Sequence, residues 1–147
     1  MWLVMRYFYI LLFIPVLVGC SGMVDLLVSG NANTGIVFEL SKSDAKKLDN
    51  VFRFYIMDNS AVPIGALKKT VWEIKINKKI SWFNFKNDYT YKWTYGVKPN
   101  GFEEIVKPMQ LQLNTQYLYS IDGGAGYHGS GCFYLNENKM VIESKSC

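Results

Sequence analysis

The stretch Val71-Trp72-Glu73-Ile74-Lys75-Ile76 sets its bulky apolar residues on alternate positions. Successive side chains of a strand point to opposite faces, so this spacing sends Trp72, Ile74 and Ile76 inward and Glu73 and Lys75 outward. The same period recurs on both sides. In Val51–Met57, Phe52, Phe54 and Ile56 share one face, and Val51, Arg53, Tyr55 and Met57 the other. Tyr89–Tyr95 alternates Tyr89, Tyr91, Trp93 and Tyr95 with Thr90, Lys92 and Thr94, and Ile80–Phe85 and Tyr117–Ile121 read as further strands. Asp58-Asn59-Ser60, Asn77-Lys78-Lys79 and Asn87-Asp88 are breaks of the residue types that favour turns. With Thr34–Leu40 and a closing hairpin of Phe133–Leu135 and Met140–Glu143, the chain offers about eight short strands at roughly ten-residue spacing. The expected fold is all-β, an antiparallel sandwich of immunoglobulin-like type. Ser41–Asn50, with Ser41 and Ser43 as cap residues, is expected to give one helical turn or a long loop. Gly96–Pro108 reads as a longer connection.

Upstream of this pattern the chemistry changes. Arg6 is the sole charge in the first 24 residues, and an unbroken apolar run of 12, Tyr7–Val18, follows it. That length suits the core of a secretory signal and falls short of the ~20 residues that span a bilayer. The run ends in Leu17-Val18-Gly19-Cys20, which resembles the lipobox of bacterial lipoproteins. The resemblance implies that the Cys20 thiol takes a diacylglyceryl group and that the Gly19–Cys20 bond is then cut, the small residue at 19 admitting the peptidase. Residues 1–19 would be the signal, 20–33 a lipidated tether and 34–147 the sandwich domain. Acyl chains contribute ~0.8 kcal/mol per buried CH₂, enough in combination to hold a protein on a membrane. Ser21, where retained lipoproteins carry Asp, implies the outer membrane, facing the periplasm.

Composition narrows the function classes. The whole chain carries 16 basic and 12 acidic residues, net +4, and loses one positive charge with Arg6. The lysines are scattered in pairs, so a solvated surface is expected and nucleic acid is not a partner. Cys20 aside, Cys132 and Cys147 remain, an even pair outside the cytoplasm, and a disulfide is expected. Geometry resists it. A hairpin about Glu137-Asn138 sets Cys132 opposite roughly Glu143, with Cys147 ~13 Å further along an extended tail. A bridge, which needs Cα atoms within about 7 Å, requires that tail to curl back.

Few residues suggest chemistry. Gly123–Gly131 holds five glycines in nine residues, but it lacks the Lys-Ser/Thr and helix start of a phosphate loop. It reads as an inter-strand loop that is either mobile or in contact with a partner. His128 is the one histidine. A Cys–His pair with Cys132 would need a helix that Gly129 and Gly131 oppose, and a lone histidine makes no metal site. Glu103-Glu104 would point to opposite faces of a strand. The Tyr89–Tyr95 stripe fits a sandwich core, or a surface that stacks sugars or a partner. No catalytic set emerges, so no enzyme, metal or small-molecule cofactor is expected.

Val71-Trp72-Glu73-Ile74, Tyr95-Gly96-Val97-Lys98-Pro99-Asn100-Gly101-Phe102, Leu111-Gln112-Leu113-Asn114-Thr115-Gln116-Tyr117 and Gly131-Cys132-Phe133-Tyr134 together resemble small bacterial lipoproteins classed as type VI secretion immunity lipoproteins. The likeness covers residues 51–147 and implies a periplasmic protein that neutralises a secreted toxic effector by binding it. A structural or assembly lipoprotein of the envelope is the alternative. Recognition is expected in loops on a rigid frame. Tyr127 and His128 in the glycine segment, and Phe102, Glu103 and Glu104 in the long connection, are the expected contact residues. Tyr127 and Phe102 could instead tuck into the sandwich ends and serve stability.

Overall fold

The structure, a computed structural model, describes residues 22–48, 51–60, 66–77, 91–144, 146 and 147. The expected strand Ile80–Phe85, the turn at Asn87-Asp88, Tyr89, and the lipidation and cleavage positions Cys20 and Gly19 lie outside the described residues. Nine strands and one helix occur among those described: β1 (Leu26–Asn31), β2 (Gly35–Leu40), α1 (Lys42–Leu48), β3 (Val51–Asp58), β4 (Thr70–Ile76), β5 (Lys92–Thr94), β6 (Phe102–Val106), β7 (Gln116–Gly123), β8 (His128–Leu135) and β9 (Val141–Ser144). They form an all-β sandwich of two antiparallel sheets. The smaller has the order β1-β2-β5 and the larger β6-β4-β3-β7-β8-β9.

In Val71–Ile76 the three residues expected inward are buried, and Val71, skipped by the pairing of β3 with β4, is buried as well. Trp72 and Ile74 are fully buried and Ile76 nearly so, while Lys75 is exposed. Aromatic rings fill the space between the sheets. Phe38 of β2 lies 5.1 Å from Phe54 and 5.6 Å from Phe133 in the opposite sheet. Trp93 of β5 stacks on Phe54 at 5.7 Å, and Trp72 meets Phe54 edge-on at 5.6 Å. Offset and edge-to-face pairs of this kind add ~0.5–1.5 kcal/mol each beyond their burial. Phe52 departs from the expected face. β3 pairs Val51 with Gly123 and Arg53 with Asp122, so Phe52 is the extra residue of a bulge and stays 43% exposed.

Two segments read as irregular are strands. Residues 26–31, assigned to the tether, form β1 and pair with β2 from Leu26↔Leu40 to Asn31↔Gly35. The turn between them closes because Asn31 Oδ1 accepts the Asn33 and Thr34 amides at 2.9 and 2.8 Å. The connection 96–108 contains β6, which pairs with β4 from Ile76↔Phe102 to Glu73↔Val106. Helix α1 is the expected short helix, its Asp44 amide donating to Ser41 Oγ at 3.1 Å, an N-cap.

The tail of the chain curls back. Ser144 pairs with Cys132, one residue later than the hairpin estimate, because Lys139 adopts φ 60° in a three-residue turn and adds a residue to it. Gln116 Nε2 and Ser144 Oγ both donate to the Ser146 carbonyl, at 2.9 and 2.7 Å, and turn the chain inward. Cys147 then comes within 5.6 Å of Cys132, Cα to Cα, and the two are bridged.

β1 also joins the sheets along one side. Met23 bridges to His128 and Asn31 to Met140, with the Val24 amide donating to the His128 carbonyl and the Ala32 amide to the Lys139 carbonyl, both at 3.0 Å. The sandwich therefore has two ends. At one lie Gly22, Met23, α1, the 3-10 turn Gly124–Gly126 and the start of β8. At the other lie the β1–β2 and β8–β9 turns. Eight residue steps of strand separate Met23 from Asn31, about 26 Å.

Candidate functional site

The expected contact residues do not gather into one surface. Phe102 points into the core and is 7% exposed, because its pairing with Ile76 puts it on the inner face of β6. Tyr127 follows the 3-10 turn and lies flat over Gly22, where a Cβ would come within 1.9 Å of its ring. It packs against the core edge. Phe102 is thus a core residue, while Tyr127 stays partly exposed at the Gly22 end. The glycine segment runs from the end of β7 through the 3-10 turn Gly124–Gly126 into β8, in which Gly131 leaves room for the Tyr119 ring from β7. His128 is half-buried on β8, its amide donating to the Gly22 carbonyl at 3.0 Å. Glu103 and Glu104 are exposed on the edge strand β6.

Pairing register does bring two of these residues into one row. Across β6, β4, β3, β7 and β8 the partners run Glu103, Lys75, Arg53, Asp122, His128. Directly opposed residues share a face, so these five line the outer side of the larger sheet over ~20 Å. Arg53 is the fixed point of the row. Its Nε donates to Glu73 Oε1 at 2.8 Å, and its guanidinium sits 4.4 Å over the Tyr55 ring. The bond to Glu73 holds the guanidinium above its ordinary pKa. Glu73 is outward, as its position predicts, but Arg53 covers it and leaves it 9% exposed.

A concave surface lies at the other end of the sandwich. An open groove of about 760 Å³ runs between the β1–β2 turn, Tyr95, the extended segment Met109–Leu113 and the β8–β9 turn. Tyr95 fixes one wall. Its hydroxyl donates to the Met109 carbonyl at 2.6 Å and accepts the Met109 amide at 3.1 Å. Burial pushes this phenol up to about 12. The segment is held further by the Gln112 amide on Tyr117 Oη at 2.8 Å and by the Asn114 amide on the Leu135 carbonyl at 2.8 Å, with Asn114 at φ 55°. Along the groove Ile36, Leu111 and Leu135 supply apolar floor, and Met109 and Leu113 remain 38% and 42% exposed. Asn33, Gln110, Gln112 and Lys139 supply the polar positions.

The chain matches no family model, no curated protein and no solved structure.

An apolar floor with amides at its margin can take the apolar side chains of a partner and bond its backbone, the common make-up of a recognition surface. Among the described residues no three His, Cys, Asp or Glu side chains come close enough to hold a metal ion. The groove is not legible in the sequence because its walls come from two turns, Tyr95 and an extended segment far apart in the chain. Met109-Gln110-Leu111-Gln112-Leu113 alternates apolar and amide residues, which is the one local signal it left.

Proposed function

We propose that this chain is a lipid-anchored protein of the bacterial envelope, probing the periplasm from the outer membrane, and that it neutralises a toxic effector by holding it in the groove between Tyr95, Met109–Leu113 and the two hairpin turns. The observation that carries this reading is the place of that groove. It opens at the end of the sandwich remote from Gly22, about 26 Å along β1 from the side where a lipid on Cys20 would lie. A partner can therefore reach it without meeting the membrane. The frame is suited to rigid recognition: stacked rings fill the core, and the Cys132–Cys147 bridge ties the tail to β8. Little reorganisation is then needed on binding, which favours affinity.

The test uses the product of the adjacent gene as the partner. Met109→Asp and Leu113→Asp should each weaken binding at least ~30-fold, the ~2 kcal/mol of a hot-spot residue, while melting stays unchanged. Cells carrying either variant should lose protection against the effector. Unchanged affinity in both variants would move the site elsewhere, with Arg53 and its row the next surface to substitute. The anchor is tested separately: labelled palmitate should enter the native chain and be absent from Cys20→Ala.

A further inference from the structure

We propose that the Gly22 end of the sandwich rests directly on the lipid bilayer, with Met23 set into the interface and the lysines of α1 over the head groups. The proposal rests on the reading of Cys20 as the lipidated residue, and it goes beyond it. A lipid anchor by itself leaves the height of the domain open. A tether over residues 20–33 would allow up to ~46 Å.

The structure removes that slack. The Gly22 carbonyl accepts the His128 amide at 3.0 Å, the Val24 amide donates to His128, and Tyr127 lies over Gly22. The chain is thus part of the sandwich from Gly22 onward, two residues beyond Cys20. Two residues span at most ~7 Å. With the acyl chains of Cys20 in the membrane, Gly22 cannot stand further than that from the head-group layer.

The surface that this brings to the bilayer fits it. Val24, Leu26 and Val28 point into the core, so Met23, Asp25 and Leu27 point out. Met23, at the Gly22 end, is 71% exposed, and Leu27, about 13 Å further along β1, is 67% exposed. Helix α1 packs beside the Gly124–Gly126 turn at the same end. It presents Lys42, Lys46 and Lys47 as exposed side chains, with Asp44 taken up by Lys47 at 2.8 Å. Apolar residues beside lysines are the pattern of a membrane-surface contact, the cations favouring anionic lipid.

Methionine oxidation tests this in the full lipidated chain, reconstituted in vesicles of phosphatidylethanolamine and phosphatidylglycerol. Met23 is more exposed than Met140, which is 45% exposed at the far end of the sandwich, so without a membrane contact peroxide should oxidise Met23 first. Seating reverses the order: Met23 should oxidise severalfold more slowly than Met140. A spacer of about ten Gly and Ser residues inserted between Ser21 and Gly22, adding ~30 Å, should restore the original order. Met23 oxidised as fast as Met140 in the native lipidated chain overturns the proposal, and protection that survives the spacer overturns the short tether as its cause. Mass analysis of the same sample keeps the two readings apart. A chain without acyl groups refutes the anchor itself, whereas an acylated chain with reactive Met23 refutes only the seating.

Discussion

Replacing Tyr119 by Phe removes one oxygen atom from the seam between the sheets. The Tyr119 hydroxyl lies 3.1 Å from the Leu26 carbonyl of β1 and 3.2 Å from Glu143 Oε1 of β9, and its single proton serves both. The Leu26 carbonyl depends on it. Leu40, the register partner of Leu26, gives its amide to Tyr91, so the Leu26 carbonyl faces away from β2 and toward β7. The ring itself stays in place in the variant, 5.3 Å from Phe38. What is lost is the net hydrogen bond, ~1 kcal/mol, and the hydration that the shielded carbonyl then lacks, another ~1 kcal/mol. The expected loss of ~2 kcal/mol lowers the melting temperature of a domain this size by about 7 °C. Urea unfolding followed by fluorescence of the buried Trp72 and Trp93 measures it, and the slope with denaturant should not change. A loss under ~0.5 kcal/mol would refute the reasoning, because water would then reach the Leu26 carbonyl and the seam would not be dry.

Opening the Cys132–Cys147 bridge by Cys147→Ser should cost ~3 kcal/mol, as expected for a loop of 15 residues, read as a lower urea midpoint that reducing agent does not lower further. Trp72→Ala should cost ~3–5 kcal/mol through the cavity it leaves. Trp72→Phe should cost much less, since the buried indole N–H has no protein partner to lose; calorimetry ranks the two. Alkaline pH should unfold the protein through its tyrosines. Burial raises Tyr95 from near 10 to about 12 and also raises Tyr117 and Tyr119, so the folded state favours the neutral phenols. Their contribution is complete below pH 10 and is lost as the pH climbs toward about 12. Tyrosinate absorbance should therefore appear together with loss of strand signal, and titration of the full set of tyrosines in a chain still folded would contradict it.

The sheet order and the strand faces differ in how far they could be read from the chain. Trp72, Ile74 and Ile76 declare their face because β4 lies inside the larger sheet, with neighbours on both sides. β6 was hidden by its position. At an edge Glu103, Glu104 and Ile105 can all stay exposed, so the period that marks a strand disappears. β1 was hidden by its neighbours in sequence. Leu26-Leu27-Val28 runs into Ser29-Gly30-Asn31, which resembles a linker until β2 is there to pair with it. Phe52 misled because a bulge is set by pairing partners, not by the strand's own residues. The contact residues were placed in loops on the general rule that loops recognise, yet Gly129 and Gly131 let β8 pass close to β1 and to Tyr119. The groove needed tertiary structure, since Asn33, Tyr95, Leu113 and Lys139 meet only once both sheets are assembled.

The seam along β1 sets a condition on biogenesis. Synthesis proceeds from the N-terminus, so β1 exists long before β8 and β9, whose residues lie about a hundred positions downstream. Until they arrive, the edge of β1 that will accept the Tyr119 hydroxyl and donate to His128 offers open backbone groups to any other strand. Contacts this distant in sequence form slowly. A chain cut anywhere before β8 keeps that sticky edge permanently, so partial translation products of this protein should be clients for chaperones and proteases, and only the full-length chain can conceal its own first strand.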